Sequence, residues 1–240
     1  MIKDIQRAGA VIEAAKRGIK NTDRPDIPVS VKTRVGYNTV QLDEWITFLL
    51  KQNLSALTVH ARTRKEMSKV PADWSHISKV VALRDTLAPD TIIIGNGDVV
   101  SLADGGQKAL ESGCDGVMVG RAIFGNPWFF NQNRSIVAEL PKKRSVLIRK
   151  IPFLASLFET RRKAPQSVIE PISLQERLGV LVEHTKLFET LLGDIKSFAI
   201  MKKHYKAYCT GFAGAKGLRV QLMDSKNAQE VSDKVALFLK

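Results

Sequence analysis

In the run VSVKTRVG, Lys32 and Arg34 interrupt an apolar sequence at a spacing of two, and further along VHARTR brings His60, Arg62 and Arg64 together. A charge buried in an apolar run is costly unless it is paired or faces a ligand, so these cations need a carboxylate partner or an anion. Two glycine turns follow, GNGD at Gly95 to Asp98 and GR at Gly120 and Arg121. Glycine admits positive φ and close backbone approach, so successive N–H groups can turn toward an anion, and a helix starting after Arg121 would add its dipole. The chemistry such a set could do is to hold a phosphate-bearing ligand beside a lysine and an imidazole. Each run also has a structural reading: Lys32 as a salt-bridged core lysine, His60 as a satisfied strand-end residue, GNGD as an ordinary turn. The ligand reading rests on the pairing of GNGD with GR one βα unit later. No GxGxxG, Walker A loop, HExxH or GxSxG occurs, which argues against a dinucleotide fold, a P-loop, a zincin and an α/β-hydrolase.

These residues gain meaning from the elements that carry them. Short β-branched runs at 29–35, 56–62, 91–95 and 116–120 read as parallel strands, each ending in polar or glycine residues and lacking a clean polar face, as for strands buried on both sides. Helical patterns at 8–19, 42–52, 74–83 and 102–112 fill the gaps. The strand starts are about one βα unit apart, a unit being roughly 30 residues in an eight-unit barrel. In such sheets the C-terminal strand ends build the site, and all the residues above sit there. From Leu174 the strand signal gives way to amphipathic helices: SLQERLGVLVEHTKLFETLLG, IKSFAIMKKHYKAYCTGF and NAQEVSDKVALFLK. The expected fold class is thus α/β, four βα units of a TIM-type (βα)8 barrel followed by an all-α domain. The expected domains are a partial barrel over 1–130, a linker or insertion over 131–173 and a helical domain over 174–240.

Charge narrows the class of partner. The chain carries 37 Lys+Arg against 24 Asp+Glu, a formal +13, and +10 of that falls within residues 141–240. Such a field attracts phosphate polyanions, nucleic acid ahead of an anionic membrane, although a solvated lysine-rich surface has the same composition. No run approaches the roughly 20 apolar residues of a membrane span, and no signal-peptide pattern follows Met1. Two isolated cysteines, Cys114 and Cys209, argue against a disulfide framework and a metal cluster, and fit a cytoplasmic location.

VKTRVGYN, LTVHARTRKEMSKVPADW, IIIGNGDV, SGCDGVMVGRAIFGNPWFF and MKKHYKAYCTGFAGAKGLRVQL, in this order, resemble the second half of a tRNA-dihydrouridine synthase. The resemblance implies an FMN-dependent flavoprotein oxidoreductase of tRNA processing, with a barrel and a helical tRNA-binding domain, that reduces tRNA uridines to 5,6-dihydrouridine with NADPH as electron donor. By motif it places Lys32 at the flavin ring, His60 beside flavin and substrate base, Asn96, Gly97 and Asp98 along the ribityl and phosphate, and Gly120 and Arg121 at the phosphate. Arg62 occupies the next position of the histidine motif, and Arg62, Arg64, Lys202, Lys203 and Lys206 are the expected tRNA contacts, with Lys216 and Arg219 in a following glycine-rich loop.

The departures are equally specific. The family's flavin-contact APM motif and the NxGCP segment with its general-acid cysteine have no counterpart in these 240 residues, so no catalytic residue is assigned and no metal is expected. Cys114 lies at the wrong end of its strand to replace that cysteine, and Cys209 falls in a helical pattern. The family's glycine after the histidine is Ala61, and its YKG is Ser68 to Val70. The expectation is therefore a homologue lacking its N-terminal half-barrel and inactive alone, with sheet edges open to self-association or to a separate N-terminal fragment. The alternative is a non-catalytic tRNA-binding module.

Overall fold

Val, Ile and Thr cluster in four short runs, and these form a parallel sheet: β1 (Ser30–Arg34), β2 (Ala56–His60), β3 (Ile92–Asn96) and β4 (Gly116–Met118), side by side in chain order. The computed structural model describes residues 1–131, 134–135 and 170–240; most of the expected linker or insertion, 131–173, lies outside them. The chain divides into two units, Met1–Ala122 and Ile123–Lys240.

In the first unit α1 (Ile5–Lys20) precedes β1, a π-helical turn (Leu42–Ile46) runs into α2 (Thr47–Leu50), and α3 (Ser75–Leu87) and α4 (Leu102–Ser112) fill the next two crossovers. Local sequence sets the helix ends. The Asp4 carboxylate accepts from the Arg7 N–H at the start of α1, Ser101 does the same from Asp104 for α4, and Gly113 closes α4 at φ 73°. Side chains alternate across the sheet, and Leu57, Val59 and Ile93 are wholly buried with Ile46, Leu49, Leu50, Ile77 and Val80. Each such side chain contributes about 1.5–3 kcal/mol. The Trp45 indole N–H donates to Thr33 Oγ1 at 2.8 Å and fastens the π-helical turn to β1.

Burial on both faces, expected from the sequence, holds only for the helix-facing side. On the other face Lys32 is exposed and Ile92 is 50% exposed, although Thr58, beside Lys32, is buried. The register stacks that face in rows, Lys32–Thr58–Ile94–Gly116 and, one step toward the C-terminal ends, Arg34–His60–Asn96–Met118. After β4, where a helix start was expected, there is only a three-residue 3-10 turn, Arg121–Ile123. The three residues of such a turn carry little aligned dipole, so the macrodipole expected at Arg121 does not arise.

The described part of the second unit is mostly helical: α5 (Leu174–Leu192), a 3-10 turn (Phe198–Met201) leading into α6 (Lys202–Tyr208), then α7 (Ala215–Met223) and α8 (Ala228–Phe238). A two-residue parallel pairing joins Arg134–Ser135 to Glu170–Pro171. Ser173 caps α5 through the Glu176 N–H and Asn227 caps α8 through the Glu230 N–H, both S/N-x-x-E capping patterns. Leu178, Leu181, Met201, Tyr205, Leu218, Leu222 and Val231 form the core. The helix α7 corrects the expectation of a glycine-rich loop carrying Lys216 and Arg219. Its glycines lower helix propensity, but Leu218 and Leu222, four apart and buried, tie that face to the core. Among the described residues no helix is long and apolar enough to cross a membrane, no cluster could hold a metal ion, and both cysteines are free and buried.

Candidate cofactor-binding site

The row Arg34–His60–Asn96 ends at the C-terminal edge of the sheet, where the loops after β2, β3 and β4 enclose a cavity of about 600 Å³. Arg34, His60, Arg62, Asn96, Gly97, Asp98, Gly120 and Arg121 all line it. Of the residues expected at a cofactor, only Lys32 is outside the wall. It lies one row below on the same face as His60, close enough for its charge to act on that ring.

Strand pairing alone does not shape the cavity; an ion network does. Asp98 accepts from Arg62 Nη2, from Arg121 Nη2 at 2.7 Å and from the Ala72 backbone N–H at 3.0 Å. Arg62, only 3% exposed, also donates through Nε to the Val70 carbonyl at 2.6 Å and has Nη1 3.2 Å from His60 Nε2. Arg34 Nη1 donates to the Thr63 and Met67 carbonyls. Two arginines thus brace the loop after β2 from inside. Burial works to raise the Asp98 carboxyl, but the Ala72 N–H and the two arginines outweigh it and hold the group below its ordinary value.

Arg62 has only hydrogen-bond donors, so His60 Nε2 must accept, and the ring proton resides on Nδ1. Burial, then the charges of Arg34, Lys32 and Arg62, push the imidazole down to about 4, with Asp98 opposing. His60 is therefore a neutral ring with an Nδ1–H to offer at neutral pH. Partial desolvation of Lys32, whose side chain still reaches solvent, and the charge of Arg34 lower its ammonium.

The turn after β3 is built for close approach. Gly97 has φ 129°, and a Cβ there would lie 2.7 Å from the Ala72 Cβ and 3.1 Å from His60 Cδ2; Asp98 follows at φ 50°. The Trp74 indole N–H donates to the Gly97 carbonyl at 2.9 Å, and a Cβ on Gly95 would meet Trp74 at 2.4 Å. Among the described residues the N–H groups of Gly97, Asp98, Val99 and Gly120 have no backbone acceptor. Three arginines and one carboxylate line the cavity, which leaves it net positive.

The remaining expected contacts lie elsewhere. Arg64 is exposed and stacks over the Tyr37 ring at 5.6 Å, on a ring that Lys3 also approaches at 4.3 Å. Lys203 and Lys206 are exposed and Lys202 half-buried, all on α6 in the second unit. Arg34, in the sequence a charge inside an apolar run, also forms part of the cavity wall. Its signal was present, since it stands two residues from Lys32 on a strand and must share its face. Met67 and Ser68 join the wall through a loop fold that has no such periodicity.

A parallel βα sheet with a net positive cavity at the C-terminal ends of its strands places the chain in the class of α/β proteins, which build their sites at that end. Within it the chain belongs to the dihydrouridine synthase (Dus) family, whose model matches residues 2–240. It is 35% identical over 226 residues to the probable tRNA-dihydrouridine synthase 2 of Bacillus subtilis (strain 168), covering 93% of this chain and 57% of that protein. The probable tRNA-dihydrouridine synthase of Staphylococcus epidermidis (strain ATCC 35984) is 32% identical over 235 residues, covering 97% of this chain and 59% of that protein. The corresponding protein of Staphylococcus aureus (strain MRSA252) is 33% identical over 225 residues, 93% of this chain. The chain spans 57% and 59% of the length of the first two relatives.

Proposed function

We propose that this chain is the flavin- and tRNA-binding portion of a tRNA-dihydrouridine synthase, an FMN flavoprotein that reduces tRNA uridine to 5,6-dihydrouridine with NADPH in the cytoplasm. The observation that carries the reading is the convergence of Arg34, His60, Asn96, Gly97 and Arg121 on one cavity in a sheet of the Dus family. FMN fits the residues present: about 600 Å³ is a cofactor-sized cavity, the free N–H groups of Gly97, Asp98 and Gly120 suit a phosphate, and Arg121 adds charge. Bound there, FMN supplies hydride chemistry.

The chain's own residues have separate tasks in this reading. Gly97, Gly120 and Arg121 hold the phosphate, while Lys32, with its ammonium made easier to neutralise by burial, presents positive charge along the row toward the ring. His60 keeps a neutral Nδ1–H for a hydrogen-bond acceptor on cofactor or base. Arg62 and Asp98 position rather than bind, because their polar atoms are taken up by one another, Val70, Ala72 and Arg121. Lys202, Lys203 and Lys206 hold tRNA phosphates from α6, and Arg64 contacts tRNA from the loop after β2.

These 240 residues contain no NxGCP segment. With no cysteine to protonate the base, and general acid catalysis contributing about 10²–10⁴ in rate, they do not form dihydrouridine by themselves. The four strands act as a half-barrel whose open edges at β1 and β4 pair with an N-terminal half-barrel or with a second copy. The test is to titrate the purified chain with FMN, following flavin fluorescence, and to assay dihydrouridine in unmodified tRNA with NADPH, with and without an N-terminal half-barrel fragment of a relative. Saturable FMN binding that Arg121→Ala weakens, with activity only when the fragment is added, is the expected result. Absence of FMN binding, or full activity of the chain alone, would overturn it.

A further inference from the structure

A second cavity, of about 550 Å³, lies wholly within the second unit and has a different character from the first. Phe124, Trp128, His184, His204 and Tyr208 line it, with Glu183 at its wall. The rings form a chain: Phe124 to His204 at 5.9 Å between centroids, His204 to His184 at 5.0 Å, and His184 to Tyr208 at 6.0 Å, with His184 Nδ1 3.3 Å from the Tyr208 hydroxyl. The core does not absorb this aromatic surface. Phe124 is 52% exposed and Leu187, also on the wall, 51%. Such exposure leaves the Phe124 ring open to solvent.

Resting on the RNA reading above, we propose that this cavity binds one unstacked RNA base, stacked on Phe124, with the His204 ring, inclined 67° to Phe124, against its edge and Glu183 and His184 toward its polar groups. Five aromatic or imidazole rings suit a planar π-face better than an aliphatic chain, which would need branched walls. The polar edge is there as well, since a carboxylate accepts and a neutral imidazole both donates and accepts. Burial lowers both histidines from their ordinary value, helped at His204 by His184 and Lys203, so the rings stay neutral and able to stack. Lys203 is exposed and close enough to act on His204, which places a phosphate-binding charge next to the cavity, as a nucleotide requires. This site contains none of the lysines proposed for the tRNA backbone and none of the residues of the first cavity.

The salt dependence of binding separates stacking from charge. Binding of unmodified tRNA and of a uridine-rich single-stranded oligonucleotide to the full chain is measured across a salt series for the parent, Phe124→Ala, Phe124→Trp and Lys203→Ala. Phe124→Ala is expected to weaken binding about 5- to 150-fold, the equivalent of about 1–3 kcal/mol for one stacked base, with the salt slope unchanged. Phe124→Trp should restore it, and Lys203→Ala should lower the slope instead. The half-exposed position of Phe124 keeps its replacement out of the core, and circular dichroism of each variant checks the fold. RNA carrying 4-thiouridine should crosslink to Phe124, Trp128 or His204 on irradiation. RNA binding that is indifferent to Phe124→Ala, or crosslinks confined to other segments, would overturn the base site while leaving tRNA recognition standing. Base binding here without flavin binding would defeat the synthase reading and spare this one, and absence of any RNA binding would defeat both.

Discussion

Asp98 is the residue on which the first cavity turns, because a single carboxylate pairs with a buried arginine on one side and a half-free arginine on the other. Replacing it with asparagine keeps the shape and removes the charge. Arg62, with its side chain only 4% exposed, would then lose its charged partner. The expected cost is about 1.5–3 kcal/mol, the range for a hydrogen bond to a charged group, seen as a lower urea midpoint at unchanged m-value. An unchanged midpoint would mean that Arg62 is adequately held by Val70 and His60. His60 makes a second prediction. In the unfolded chain its ring takes up a proton near the ordinary 6.5, and in the folded protein only near 4. Between those values the unfolded state binds more protons, so the stability due to the neutral ring is complete above the window and is lost as pH falls through it. His60→Gln should flatten the stability profile between about pH 6.5 and 4, as followed by urea unfolding at several pH values. A profile as steep as the parent's would assign the acid sensitivity to other groups.

At the scale of elements, the turn after β3 does what neither neighbour strand can do alone. Gly97 lets the chain pass under His60, and Trp74 pins the Gly97 carbonyl from the loop before α3. Gly97→Ala meets two obstacles, a φ of 129° and an alanine methyl 2.7 Å away. A loss of about 1–3 kcal/mol in stability is expected, together with weaker FMN binding, by urea unfolding and flavin titration of the same sample. Stability lost with FMN affinity intact would show that the turn supports the fold but not the phosphate. The contrast with Asp98, a non-glycine at φ 50°, is instructive. Its carboxylate is tied to Ala72 and two arginines, and those bonds offset a backbone conformation an isolated aspartate would leave.

The whole molecule distributes its tasks over two units with separate cores, a sheet packed on helices and a helical assembly. Most of the excess positive charge lies in residues 141–240. If α6 carries the tRNA contacts, changing Lys202, Lys203 and Lys206 to alanine should lower the slope of log K against log salt by about 0.7–0.9 for each lost phosphate contact. Filter binding of unmodified tRNA at a series of salt concentrations reads this directly. A slope equal to the parent's would make those lysines a solvated face. FMN affinity, if it resides in the first unit as proposed, should be untouched by the same changes.

Composition, period and spacing were enough to determine the α/β class, the four strands within a residue or two of their ends, and the order in which His60, Asn96 and Arg121 reach the C-terminal edge, with Lys32 one row below it. This follows from chain-local physics: β-branched runs, period-two alternation and glycine turns depend on neighbours in sequence, and a parallel sheet turns that order into a shared edge. Five ordered motifs likewise pointed to the Dus family, which the match over residues 2–240 establishes. Other features depended on contacts between distant residues. Glycine richness reads the segment around Lys216 and Arg219 as a loop, yet Leu218 and Leu222 make Ala215–Met223 a helix by finding a core. Arg62 reads as a free cation beside His60 and is instead buried against Asp98, 36 residues away. The proton on His60 Nδ1, the bracing of the loop after β2 by Arg34, and the ring-lined cavity around His184 and His204 belong to the same group. Each is an electrostatic or steric balance among side chains brought together only by folding, and such a balance has no signature in the spacing of residues along the chain.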